Sequence, residues 1–187
     1  MIGYAFCGSF CTLSHSLKVL KDLTEEGWEL LPIMSDAVYR TDTRFWEAEK
    51  FRDAVSALCP GKEIIHTVVD AEPLGPQKPL DALIIAPCTG NTLAKMANGI
   101  TDTPVTMAAK AHLRADRPLL IALASNDSMS ANLSNVSKLL LRKQVYFVPM
   151  RQDDPGKKPY SLVADFSLIS DCLSAALTGK QRRPLFL

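Results

Sequence analysis

Short apolar runs alternate along this chain with segments whose apolar residues recur at helical spacing. Each run is about four to eight residues long and does not alternate strictly between apolar and polar residues, which is typical of strands covered on both faces. The pattern predicts five buried strands and a weaker sixth candidate at Glu63–Val69. The five are Ile2–Cys7, Trp28–Met34, Ala82–Pro87, Pro118–Leu123 and Tyr146–Pro149.

The segments between these runs have the periodicity of amphipathic helices. The first helix carries an apolar stripe with steps of 4, 3 and 3, formed by Leu13, Leu17, Leu20 and Leu23. Gly27 is expected to end this helix, because glycine adopts the left-handed conformation that follows many helices. The other predicted helices are Phe45–Leu58, Thr92–Ala97, Val105–Leu113, Val136–Leu141 and Val163–Leu177.

Strands that alternate with helices predict an α/β fold with a mainly parallel sheet and helices on both sides. A length of 187 residues suits a single domain spanning residues 1–187. Two proline-containing segments, Asp70–Pro79 and Arg151–Tyr160, are predicted to be long loops. Such loops either serve function or simply connect elements, and both interpretations remain open here.

Charge and cysteine content argue against several classes of protein. The formal net charge of +1 gives no electrostatic reason to expect a nucleic acid partner. The five cysteines are an odd number without the spacing of a metal site, so reduced thiols and no bound metal are expected. The sequence has neither the pattern of a signal peptide nor an apolar run of about 20 residues. A cytoplasmic protein without a membrane partner is therefore expected.

Polar residues follow the predicted strands at the positions where an open parallel sheet binds its ligands. Gly8 and Ser9 follow the first strand and predict a tight turn and an anion site at a helix start, although serine is also an ordinary helix cap. The dinucleotide motif G-x-G-x-x-G is absent, which favours a mononucleotide or another phosphate over NAD. After the second strand, Ser35 is suited to a ring or ribose oxygen or to capping, and Asp36 keeps NAD open.

The richest polar stretch is Ala86–Asp102, which ends a strand and opens a helix. Its small, hydroxyl and amide groups bond phosphates and ring edges without adding negative charge at the helix start. The following strand ends in a further polar cluster, Ser125–Met129. Polar clusters at four strand ends together predict a crevice for a phosphate-containing ligand.

Part of this stretch, Thr89–Asp102, reads T-G-N-T-L-A-K-M-A-N-G-I-T-D and resembles the motif S-A-N-T-x-A-K-x-A-x-G-x-x-D. That motif is found in the homo-oligomeric flavin-containing cysteine decarboxylases and their relatives. The resemblance implies a Rossmann-like three-layer α/β/α fold, a homo-oligomer, and a pocket for flavin mononucleotide (FMN) shared between protomers. The cofactor contacts that it implies are Gly8, Ser9, Ser35, Ala86, Thr89, Asn91, Thr92 and Asp102.

Within that superfamily, further segments resemble the family of dipicolinate synthase B subunits. These segments are Ala71–Pro76, Ala86–Thr92, Thr103–Ala111 and Val148–Pro155. The resemblance implies one of two subunits that together oxidise a dihydrodipicolinate-type precursor, a small pyridine dicarboxylate, to dipicolinate during spore formation in the mother-cell cytosol. It places NADP on the partner, the A subunit of dipicolinate synthase, which is consistent with the absence of G-x-G-x-x-G from this chain.

Departures from the decarboxylase pattern affect the residues best suited to chemistry. The decarboxylases carry a catalytic histidine before the strand of their third motif, and here His66 is the nearby histidine, with 14 residues between it and Asp81. Their P-x-M-N motif appears as Leu123–Asn126, which keeps only the asparagine. His66 and Asn126 are therefore the candidate catalytic residues, although a lone histidine after an apolar run is often structural. The cysteine of the decarboxylases' substrate flap has no counterpart that can be placed, and decarboxylation of a peptidyl cysteine is disfavoured.

Three functions remain open at this point. The first is one component of a two-chain oxidoreductase, with or without its own flavin. The second is a stand-alone FMN-dependent relative of the decarboxylases or prenyltransferases, and the third is a non-catalytic scaffold that keeps the fold. A dianionic substrate requires cationic or N–H partners. The candidate cations are Lys95, Lys110, Arg151 and Lys157.

Overall fold

A mixed sheet with helices on both faces forms the centre of the protein in its computed structural model, which describes residues 1–75, 77 and 79–187. In this part of the chain the strands are β1 (Ile2–Phe6), β2 (Leu30–Met34), β3 (Ala82–Cys88), β4 (Leu119–Ser125), β5 (Val145–Phe147), β6 (Met150–Arg151) and β7 (Leu162–Ala164). The α-helices are α1 (Leu13–Glu25), α2 (Asp36–Arg40), α3 (Ala48–Leu58), α4 (Val68–Ala71), α5 (Gly90–Ala97), α6 (Pro104–Leu113), α7 (Leu133–Leu140) and α8 (Ile169–Leu177). Among the described residues, no helix is both long and apolar enough to cross a bilayer.

The first five strands are parallel, which confirms the predicted fold class. They pair in the order β2-β1-β3-β4-β5, and the end of β4 pairs antiparallel with β7, which in turn pairs with β6. The chain passes from β1 outward to β2, then returns to the other side of β1 to form β3. This reversal opens a crevice beyond the carboxyl ends of β1 and β3, where sheets of this kind bind ligands.

The core explains why the strand runs show no alternation. Every residue of β1 is buried. Tyr4 and Phe6 belong to an apolar cluster on one face of the sheet with α1, α3 and α8, whereas Ala5 and Cys7 belong to the cluster on the other face with α5, α6 and α7. Since helices cover both faces, a polar residue on either side would have to be buried.

Two predicted elements were wrong. The segment Glu63–Val69 forms only an isolated bridge between Ile33 and Ile65, after which α4 begins, with Thr67 accepting a hydrogen bond from the Asp70 amide. The predicted helix Val163–Leu177 begins six residues later than expected, at Ile169. Its first residues form β7 because β-branched and apolar residues there pair with the end of β4. Gly27 follows α1 with a φ of +90°, which confirms the predicted helix end.

The two predicted long loops have different surroundings. In the first, α4 ends at Ala71 and Leu74 is buried, whereas Pro76 and Lys78 lie outside the described residues. The second follows the strand residues Met150–Arg151 and runs over the surface to β7, beside the carboxyl end of β4. This second loop borders the crevice.

His112 is a buried histidine whose environment favours the neutral ring. Its Nε2 lies 2.8 Å from the carbonyl oxygen of Pro118, and its Nδ1 has no hydrogen-bond partner among the described residues. A protonated ring would place a second N–H donor at Nδ1 without an acceptor. Burial therefore lowers the pKa of His112 below its ordinary value of 6.5.

Acidification is expected to destabilise the protein through His112. Below the ordinary pKa of 6.5, the unfolded chain takes up a proton that the folded chain does not, so the stability that His112 contributes is present above that value and falls as the pH falls. The free energy of unfolding, measured with urea, should fall less between about pH 7.5 and about pH 5.5 in His112→Gln than in the wild type. Equal losses in both proteins would contradict this assignment.

Candidate functional site

A crevice of about 850 Å³ opens at the carboxyl ends of β1, β3 and β4. The turns after these strands supply its floor, through Gly8–Ser9, Thr89–Asn91 and Ser125–Asp127. The segment that contains β6 and β7 supplies one wall. The volume lies within the range of about 300–1,000 Å³ that is typical of small-molecule sites. The crevice therefore brings together three of the four predicted polar clusters.

The turn after β1 is suited to an anion. Ser9 precedes a 3₁₀ helix at Phe10–Thr12 that leads into α1, and the first turns of both helices lack acidic residues. Within the described part of the chain, the Ser9 side chain makes no capping hydrogen bond, so its hydroxyl is available to a ligand. Helix starts carry partial positive charge and unpaired N–H groups. His15, in the first turn of α1, also lines the crevice.

The turn after β3 is stabilised by Thr89 and Thr92, and its residue Asn91 lines the crevice. Thr89 caps α5 by accepting a hydrogen bond of 3.2 Å from the Thr92 amide. Thr92 is itself buried and donates its hydroxyl to Cys7 Sγ at 3.3 Å, which ties this turn to the end of β1. Burial raises the pKa of the Cys7 thiol to about 11, so this cysteine is an inert thiol at neutral pH. Asn91 is exposed and lines the crevice.

The wall of the crevice carries two ion pairs. Arg151 contacts Asp165, and the Lys158 ammonium lies 2.7 Å from Asp153. The Ser167 hydroxyl, together with the Ser167 amide and Arg151, holds the pKa of Asp165 below its usual value. The hydrogen bond from Lys158 does the same for Asp153.

Comparisons with known proteins identify the family. A sequence-family model described as Flavoprotein matches residues 2–175. The chain belongs to the Flavoprotein family. It is 40% identical over 186 residues to the B subunit of dipicolinate synthase from Bacillus subtilis (strain 168), a match that covers 100% of this chain and 92% of that protein. The predicted family and the resemblance to dipicolinate synthase B subunits are confirmed.

Solved structures agree with this assignment. The crystal structure of the dipicolinate synthase B subunit from Bacillus halodurans C matches with a TM-score of 0.91 and 38% identity, covering 100% of this chain and 95% of that one. A dodecameric FMN-dependent UbiX-like decarboxylase from Escherichia coli O157:H7 matches with a TM-score of 0.64 and 24% identity, covering 79% of each chain. The second match shows a shared fold only.

Several residues suggested by the flavoprotein motifs do not line the crevice formed by the described residues. Ser35 follows β2 and caps α2, its hydroxyl oxygen accepting a hydrogen bond of 3.5 Å from the Val38 amide. The Ser35 N–H donates a hydrogen bond to the Phe6 carbonyl oxygen, which places Ser35 near the Gly8 turn. Ala86 is buried in β3, where its carbonyl oxygen accepts the Ser16 hydroxyl of α1. Flavin contacts by Ser35 and Ala86 stay predictions.

The far end of the motif is also outside this lining. Asp102 lies 2.8 Å from Lys95 of α5, and the hydrogen bond from this lysine lowers the pKa of Asp102. The Lys95–Asp102 ion pair therefore ties α5 to the segment before α6, and a flavin contact by Asp102 stays a prediction.

The candidate cations lie in different places. Lys110 borders a smaller cavity of about 290 Å³ on the surface of α6. In the part of the chain that the structure describes, Arg151 is the only predicted cation that lines the crevice. Lys157 was expected there, but its neighbour Lys158 lines the crevice instead.

The two candidate catalytic residues occupy different places. Asn126 is exposed and lines the crevice after β4. His66 lies outside the lining, near the edge strand β2, where its ring stacks on Tyr39 with centroids 3.9 Å apart and planes inclined by 9°. Its Nδ1 lies 3.2 Å from the Ile64 carbonyl oxygen. Catalytic roles for both residues stay predictions.

Proposed function

We propose that this chain is the B subunit of a dipicolinate synthase. With its NADP-dependent partner, the A subunit, it would oxidise a dihydrodipicolinate-type precursor to dipicolinate during spore formation in the mother-cell cytosol. The observation that carries the proposal is the similarity to a dipicolinate synthase B subunit over the whole of this chain, at 40% identity. We further propose one domain over residues 1–187 that assembles as a homo-oligomer, as the dodecameric relative of this fold does.

The crevice residues fit a flavin mononucleotide. Gly8 and Ser9 offer an uncharged turn at a helix start for the phosphate, and Thr89 and Asn91 offer hydroxyl and amide groups for the ring system. An FMN-dependent relative of the same fold supports this choice of cofactor. When bound, a flavin supplies a ring that accepts a hydride.

Arg151 and Lys158 are suited to the carboxylates of the substrate. Each gives part of its hydrogen-bonding capacity to one aspartate of the wall, Asp165 or Asp153. A guanidinium has five N–H donors and an ammonium three, so both retain donors for a ligand. Asn126 adds an amide to the lining of the same crevice. These groups would bind and orient a dicarboxylate against the ring-binding turn.

Mixing this chain with its dehydrogenase partner is expected to yield more dipicolinate than the partner yields alone. Asn91→Ala should reduce that gain about tenfold or more, because one hydrogen bond to a charged or developing charged group contributes about 1.5–3 kcal/mol. Dipicolinate formation and the size of the assembly on gel filtration should be measured together.

No gain from the wild-type chain would contradict the proposal. An unchanged gain in Asn91→Ala, with assembly intact, would instead support a scaffold role, because the crevice would then contribute nothing to the chemistry. Loss of the gain together with loss of assembly would also count against a crevice role for Asn91, because the lost gain would then follow from the lost assembly.

A further inference from the structure

Asp127 lines the crevice, and two hydrogen bonds hold its carboxylate in place. The residue lies two positions after β4, and one carboxylate oxygen accepts the Ser125 hydroxyl while the other accepts Asn132 Nδ2 at 2.9 Å. Asn132 is 6% exposed, and its own carbonyl oxygen accepts a hydrogen bond from Asn135 at 3.0 Å. Since each partner is fixed, the direction of the Asp127 carboxylate is fixed as well.

The charge of Asp127 lacks a cationic partner. Three carboxylates line the crevice, and two of them, Asp153 and Asp165, form ion pairs with lysine or arginine. In the described ranges of the chain, Asp127 has only the neutral donors Ser125 and Asn132. A partly buried carboxylate without a cation attracts a positively charged or strongly polarised hydrogen-bond donor.

Glycine at position 90 makes room for this carboxylate. A Cβ on Gly90 would lie 2.6 Å from Ser125 Oγ, 2.7 Å from Asn132 Nδ2 and 2.8 Å from Asp127 Oδ1, all closer than real contacts allow. A side chain at position 90 would therefore displace the Asp127 carboxylate or one of its two hydrogen-bond donors.

We propose that Asp127 determines ligand specificity by binding a ring nitrogen that carries a hydrogen. This inference rests on the proposed function, which supplies a nitrogen-heterocyclic dicarboxylate as the ligand class. Arg151 and Lys158 would bind the carboxylates of the ligand. Asp127, which lies beside Gly90 at the start of α5, would accept a hydrogen bond from the ring N–H of the ligand. A ligand of the same shape without that N–H would shield the carboxylate from water and supply no donor beyond Ser125 and Asn132.

Two probes of the same shape test this role. The first is cis-piperidine-2,6-dicarboxylate, whose ring nitrogen is protonated at neutral pH, and the second is cis-cyclohexane-1,3-dicarboxylate, which has a methylene group in its place. Calorimetric titration of the wild-type chain should show that the piperidine compound binds about tenfold or more tightly than the cyclohexane compound. Asp127→Asn should bring the two affinities to within about twofold of each other.

Two further variants complete the experiment. Gly90→Ala keeps the charge but displaces the carboxylate, so it should also abolish the preference. Asp116→Asn should retain the preference for the piperidine compound. Asp116 lies in the loop before β4, at the opposite end of that strand from Asp127, and forms an ion pair with Lys143. Asparagine tolerates the φ of +55° at position 116. The thermal unfolding of each variant should be recorded beside the titrations.

The outcomes separate this inference from the proposed function. A preference that survives in Asp127→Asn overturns the role of Asp127 and leaves the proposed function standing. Equal binding of both probes by the wild type does the same. A wild-type chain that binds neither probe overturns the dicarboxylate ligand class of the proposed function, and the role of Asp127 falls with it.

Discussion

Replacing Ser9 with glutamate is expected to lower the affinity for flavin mononucleotide by at least about a hundredfold while leaving the fold intact. A carboxylate within about 4 Å of a phosphate costs a few kcal/mol near a protein surface, and about 2.7 kcal/mol already corresponds to a hundredfold. The fold should tolerate the change, since the Ser9 hydroxyl caps nothing among the described residues. A negative charge at a helix start also interacts favourably with the helix dipole.

Titration of the purified chain with flavin mononucleotide, followed by flavin fluorescence, measures this effect. Ser134→Glu is the matched control, because it places the same charge in the first turn of α7, at an exposed position outside the crevice lining. Wild-type affinity in Ser9→Glu would show that the phosphate does not bind at the Gly8–Ser9 turn. A wild-type chain that takes up no flavin would contradict the cofactor proposal itself.

The fold was largely predictable because helices cover both faces of the central strands. That burial produces uninterrupted apolar runs such as the one that became β3, and it makes the alternation of strands and helices visible in the sequence. The short strands β6 and β7 were not predictable in the same way. They have two and three residues, and their pairing depends on contact with the distant end of β4. A local pattern contains no information about such a contact.

Site residues were predictable where they directly follow the ends of neighbouring strands. They were less predictable within the motif, because some motif residues stabilise a turn and do not face the crevice. Ser9 and Asn91 lie together in the crevice because they follow neighbouring parallel strands. Thr92 belongs to the same motif, yet its hydroxyl bonds to Cys7 and stabilises the turn. Asp127 and Lys158 were missed as site residues, because their places depend on Gly90 packing and on the β6–β7 pairing. The polar cluster after β4 was the one signal that pointed to Asp127.

Replacing Phe6 with alanine is expected to destabilise the protein by about 3–5 kcal/mol, a large part of the roughly 5–15 kcal/mol that stabilises a typical domain. Phe6 is fully buried at the end of β1, and its ring contacts Tyr4 at 5.0 Å and Phe51, edge to face, at 5.3 Å between centroids. Phe45→Ala is the matched control, because Phe45 is 46% exposed and its loss should cost less than about 1 kcal/mol.

Urea unfolding of both variants measures the difference. Equal losses of free energy of unfolding would show that the packing around Phe6 contributes no more to stability than the exposed ring of Phe45. The comparison with Ser9→Glu is informative because Phe6 precedes the Gly8–Ser9 turn by two residues. Phe6→Ala should lower stability, and Ser9→Glu should lower flavin affinity at unchanged stability. If both variants lost stability and affinity together, the turn would be part of the core packing. Separate losses would show that β1 supports a turn whose exposed groups are free to bind a ligand.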